Sequence, residues 1–108
     1  MALYTAALTV PPNTSEGAPV QYVLHHGGRR LHYASILFPN GCFNVVGIKL
    51  MDDYSQFAPL PSGWIFGNDR VVAWSENIHL SDTHRITIQG YSLAEDWPHT
   101  PIVYLEID

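Results

Sequence analysis

The chain predicts an all-β fold, a single antiparallel β-sandwich or jelly-roll-like domain of about eight short strands spanning residues 1–108. Three observations carry this expectation. Apolar and polar residues alternate with period two along most of the chain, and no 3.6-residue apolar stripe is present. Clusters of Gly, Pro, Asn and Ser interrupt the alternation at short intervals. Three Trp, six Tyr and four Phe favour strands, while Lys-, Glu- and Ala-rich helical blocks are absent.

The elements follow in order. Tyr4, Ala6, Leu8 and Val10 alternate with Leu3, Thr5, Ala7 and Thr9, a first strand that PPNTSEGAP then breaks. Val20, Tyr22 and Leu24 mark a second strand, and Leu31, Tyr33 and Leu37 a third. After the turn signal Pro39-Asn40-Gly41, a fourth runs from Phe43 to Leu50. A short fifth covers Tyr54 to Phe57, and a loop covers Pro59 to Asp69. Val71–Trp74, Arg85–Tyr91 and Ile102–Ile107 complete the set. Repeats and linkers are not visible, so the chain reads as one unit.

Turn chemistry suggests a register. A two-residue turn at Gly27-Gly28 pairs Leu24 with Leu31, Tyr22 with Tyr33 and Val20 with Ser35. A second at Asn40-Gly41 pairs Leu31 with Leu50, Tyr33 with Ile48 and Ser35 with Val46. One face then holds Val20, Tyr22, Leu24, Leu31, Tyr33, Val46, Ile48 and Leu50, the expected core. The opposite face presents Ile36, Phe38, Phe43 and Val45, an exposed apolar patch and so a candidate partner interface. The competing explanations are a different register or cover from the loop around Trp64.

The same register makes His25 and His32 diagonal neighbours within QYVLHHGGRRLHY. Two imidazoles beside Arg30 and Lys49, without a third ligand, do not make a zinc site, so the stretch reads as a solvated hairpin tip with no metal. Ser81-Asp82-Thr83-His84 contains triad residue types but lacks a glycine elbow, and reads as a polar turn. Asp52-Asp53 lacks the spacing of a calcium loop. Glu95-Asp96 are sequence neighbours on a loop, which does not establish the geometry of a glycosidase pair. Cys42, the only cysteine, excludes an intrachain disulfide and reads as a small buried hydrophobe. No enzyme and no cofactor is expected. Trp74 is expected in the core. Trp64 and Trp97 sit on loops, either stacking on a sugar or anchoring a protein partner, or pinning their loops to the sandwich.

Charge narrows the partner classes. Residues 1–50 carry Arg29, Arg30 and Lys49 against Glu16, whereas residues 51–108 carry Arg70 and Arg85 against nine acids. An acidic chain without a Lys/Arg cluster lacks the footprint of a nucleic-acid binder. No apolar run is long enough to span a membrane, and MALYTAALTV lacks the pattern of a signal peptide.

Three motifs taken together carry a resemblance: Phe38-Pro39-Asn40-Gly41-Cys42, Gly63-Trp64-Ile65-Phe66-Gly67 and Asp96-Trp97-Pro98-His99-Thr100. The chain is similar, over about residues 5–107, to small β-sandwich proteins found among the virion-structure genes of tailed bacteriophages. The resemblance implies an architectural role in a virus particle, made in the host cytoplasm without a signal peptide. It implies contacts with other virion subunits and carries no catalytic residues. The expected function is a capsid decoration or tail-associated structural protein acting through protein contacts as a homo-oligomer, with Ala2–Val10 a candidate for extending a neighbour's sheet. A carbohydrate-binding domain using Trp64 and Trp97 is the alternative.

Overall fold

Two antiparallel sheets close over one apolar core in a computed structural model that describes residues 2–53, 55–59 and 62–108, and all of their side chains except that of Glu76. The strands are β1 (Ala2–Ala7), β2 (Val20–His25), β3 (Arg30–Phe38), β4 (Val46–Asp52), β5 (Ser55–Ala58), β6 (Ile65–Phe66), β7 (Arg70–His79), β8 (Arg85–Ser92) and β9 (Ile102–Ile107). One sheet has the order β1-β9-β3-β7 and the other β2-β8-β4-β5, with β6 beside β5 along the free edge of β4. The chain crosses between sheets at most of its turns. This is the double-sheet jelly-roll connectivity, which protects strand edges by wrapping one sheet over the other.

The two-residue hairpins do not form. β2 pairs with β8, β3 with β7 and β9, and β4 with β8, β5 and β6. Gly27-Gly28 and Asn40-Gly41 are therefore arches between sheets. At Gly28 the glycine is required by close approach, because a Cβ there would overlap Ile107 Cγ2 and the Asp108 backbone. The amides of Arg29 and Arg30 donate to the Asp108 carbonyl at 2.7 and 3.0 Å, tying the arch to the end of β9.

A register shift between Leu31 and Tyr33 resets the parity of β3. Leu31 points inward, and beyond the shift Ala34, Ile36 and Phe38 do so. Leu24, Leu31, Val46, Ile48 and Leu50 of the expected face are buried, whereas Tyr22 is exposed and Tyr33 turns outward. Ile36 and Phe38 are fully buried, which removes both from the proposed outer interface. Phe38 lies so close under Gly67 that a Cβ on that glycine would stand 2.5 Å from the ring.

Other boundaries also move. β4 starts at Val46 because Phe43 and Asn44 hold positive φ angles of 48° and 60° and Val45 N donates to Cys42 O at 2.9 Å. Ile65–Phe66, expected in a loop, pairs as β6, and β7 extends well past Trp74. Trp74 is half-buried against the core. β1 pairs with β9 of its own chain. The expected fifth strand begins at Tyr54, outside the described residues, and β5 starts at Ser55.

Candidate functional site

Strand direction sorts the loops onto two ends of a body 39 Å long. The β3–β4 loop, the start of β7 and the β8–β9 loop meet at one end. Here a cleft of about 610 Å³ is lined by Asn40, Phe43, Val45, Leu93, Trp97 and His99, with Glu95 and Asp96 also on its wall. Its size is that of an ordinary ligand or peptide pocket.

Each wall is held by specific bonds. Asn68 Oδ1 accepts from the amides of Gly41 at 3.0 Å and Phe43 at 2.9 Å, and Asn44 N donates to Gly67 O at 3.2 Å. Gly41 has φ of 103°, a conformation that glycine adopts without cost. Phe43 has φ of 48°, which a bulky side chain rarely adopts. The result is a 69% exposed Phe43 beside a fully buried Cys42. Burial pushes the Cys42 thiol pKa up, away from the reactive thiolate.

Leu93 N donates to Val45 O at 3.0 Å, joining the two loops across the cleft floor. The far wall is fastened to the N-terminal segment. Val10 and His99 exchange backbone bonds of 2.7 and 3.1 Å, and Asn13 N donates to Ala94 O at 2.8 Å. Trp97 remains 73% exposed and Leu93 64% exposed on this braced loop.

The cleft thus unites Phe43 and Val45, expected as a partner surface, with Trp97, expected as a ligand contact. Ile36 and Phe38 are not part of it. Neither is Trp64, which lies over the outer face of the β2-β8-β4-β5 sheet. Its ring packs edge-on against Tyr91 at 4.7 Å, its Nε1 donates to Glu16 Oε1 at 3.0 Å, and Lys49 Nζ lies 4.2 Å from its centroid. Gly47 makes room beneath, since a Cβ there would be 2.6 Å from Tyr91 and 3.1 Å from Trp64. Burial and the nearby Glu16 raise the Tyr91 pKa. Trp64 pins its loop.

Asn40 and His99 were read from sequence only within turn and resemblance motifs, and Asn68 and Leu93 were not singled out. Asn68 lies within the expected Pro59–Asp69 loop, and its role as a clamp on a distant loop has no local signature. Leu93 and His99 acquire their positions through pairing with Val45 and Val10, contacts that only the topology creates.

At the opposite end, the HHGG arch and the SDTH turn meet. Asp52 accepts from Ser81 N and Ser81 Oγ, both at 2.8 Å, and Arg85 Nη2 lies 2.9 Å from Asp53 Oδ1. Ser81 is thus bonded to a carboxylate that shapes the turn. His26 is buried edge-on against His84, with ring centroids 5.5 Å apart, and neither of its ring nitrogens has a protein partner. Burial, then the neighbouring His84, lowers its pKa, and Asp52 opposes this. His25 and His32 stand on different sheets, and His32 Nε2 lies 3.6 Å from Asp108 Oδ2. Among the described residues no three His, Cys, Asp or Glu side chains are grouped to hold a metal ion. No protein-family model matches the chain, and no curated protein matches it.

Proposed function

We propose that the protein is a non-enzymatic virion structural module, a capsid decoration or tail-associated component, that holds a neighbouring subunit in the Phe43–Trp97 cleft. The observation that carries this reading is the grouping of three large exposed apolar side chains, Phe43, Leu93 and Trp97, on loops braced by backbone bonds. Rigid aromatic anchors around a concavity are what protein interfaces use for most of their affinity. The wall bears Glu95 and Asp96 and no Lys or Arg, which favours a partner segment with basic residues beside apolar ones. The virion setting rests on the motif resemblance. Jelly-roll connectivity is compatible with it by fold-level analogy, since that architecture hosts viral capsid and lectin domains alike.

A carbohydrate-binding role is the second reading. It is favoured by the exposed Trp97 ring next to Glu95, Asp96 and Asn40, and no longer draws on Trp64. Selection of a random peptide display library on the immobilised chain, alongside a panel of neutral oligosaccharides, separates the two. The subunit-binding reading expects enriched basic-apolar peptides that fail to bind a Phe43→Ala/Trp97→Ala variant. No enrichment, or equal binding to the variant, would sink it. Retention of an oligosaccharide that Trp97→Ala abolishes would favour the second reading.

A further inference from the structure

At the end opposite the cleft, one buried imidazole faces another across the joint between two loops. His26 opens the Gly27-Gly28 arch, is 7% exposed, and has neither ring nitrogen bonded to a protein group. The His84 ring, on the β7–β8 turn, stands edge-on at 5.5 Å, and its Nδ1 is likewise buried without a partner. The other titratable groups facing His26 are Tyr4 of β1, with ring centroids 6.4 Å apart, His25 of β2 and Asp52 of β4. Asp52 is the one carboxylate among these, and Ser81 N and Ser81 Oγ already occupy both of its oxygens. An imidazolium brings a full charge and two N–H donors, for which this setting supplies little compensation. The arch is firmly anchored beyond Gly28, where Arg29 N donates to Asp108 O and Leu80 N to Arg29 O, both at 2.7 Å. Its ties at the histidine side are longer, from His26 N to His84 O at 3.1 Å and from Gly27 N to the Tyr4 hydroxyl at 3.3 Å. Nothing lies within 4 Å of where a Gly27 Cβ would stand, so that glycine is free to turn as a hinge.

We infer that the His26–His84 contact is an acid-released latch: a proton on His26 swings the start of the arch away from the β7–β8 turn while both sheets stay paired. Closed, the arch keeps the His26 ring dry and neutral. Open, it gives the ring to water, where an imidazole takes a proton below about pH 6.5. Burial and then His84 hold the closed-state pKa below 6.5, and Asp52 and the Gly28 backbone oppose this without reversing it. Between the two values the open form binds more protons. The open fraction therefore grows as pH falls through that window, by at most about tenfold per pH unit. Above about pH 6.5 the latch is shut. A cavity of about 410 Å³ beside Tyr4, Gly27 and Gly28 leaves one side of the arch unpacked. The latch is at the far end of the molecule from the cleft and uses none of its residues.

Native-state hydrogen exchange of the full chain, read by NMR and corrected for the intrinsic pH dependence of exchange, tests it. Protection is compared at about pH 7.5 and about pH 5, with and without about 1 M urea. The His26 and Gly27 amides are expected to lose protection several-fold at the lower pH. That loss should respond little to urea, because a local opening exposes little surface. His26→Gln, or His26→Phe where the first fails to fold, should abolish the acid-induced loss. Protection that does not change with pH overturns the inference. So does an acid-induced loss that persists in a folded His26 variant, or one that grows with urea as global unfolding does.

Discussion

Phe43 is the residue where backbone cost and exposure coincide. A left-handed conformation costs an L-residue about 1–2 kcal/mol, and Phe43 bears that cost while contributing little to the core. Under the proposed reading, that strain is kept for a contact made by the side chain. Phe43→Asn should therefore raise folding stability by about 1 kcal/mol in a denaturant titration while abolishing peptide binding. Loss of stability would show that the ring supports the fold instead. Asn68→Ala, which removes the acceptor shared by the Gly41 and Phe43 amides, should cost about 1–2 kcal/mol and loosen the Phe43 loop. Hydrogen exchange at those two amides reads the loosening. His26 sets a pH dependence at the opposite end. Its folded pKa lies below the ordinary 6.5, so between the two values the unfolded chain binds more protons. The stability due to His26 is complete above about pH 6.5 and is lost as pH falls toward its lowered folded value, with a slope of at most about 1.4 kcal/mol per pH unit. The groups facing it are Tyr4, His25, His84 and Asp52. His26→Phe, which keeps the ring contacts, should flatten that part of the stability profile, and an unchanged slope would assign it to another group.

At the scale of elements, period-two alternation made the strands legible but left their partners open. Most of the expected strands are present, and their boundaries shift by a few residues where backbone angles or distant pairing intervene. Gly-Gly and Asn-Gly are the strongest local signals for a hairpin, yet here both join strands on different sheets. The reason lies in contacts far apart in sequence. Gly28 is required by Ile107, and Asn68 captures the amides on both sides of Cys42. The irregularity between Leu31 and Tyr33 is equally silent in sequence, and by resetting the parity of β3 it moves Ile36 and Phe38 from the expected outer face into the core. The cleft was half legible. Phe43, Val45 and Trp97 were each identifiable as apolar residues on or beside a loop, but their convergence depends on the crossing of the chain between sheets. Phe38→Ala, in the buried site beneath Gly67, should cost about 3–5 kcal/mol in thermal or denaturant unfolding. A cost under about 1 kcal/mol would be the mark of a surface residue.

For the molecule as a whole, the jelly-roll wrap gathers Phe43, Leu93 and Trp97 around a cleft at one end. Under the proposed reading, a partner segment inserts into that cleft. The cleft depends on the chain crossing between sheets, which puts Phe38 inside and Phe43 outside, whereas consecutive hairpins would put both on one exposed face. Far-UV circular dichroism melting of Phe38→Asp beside Phe43→Asp tests this most directly. The crossed topology predicts that Phe38→Asp fails to fold, because a carboxylate would be buried without a partner. It predicts that Phe43→Asp melts cooperatively, within about 1 kcal/mol of the parent chain. Two variants that both fold and melt alike would contradict it.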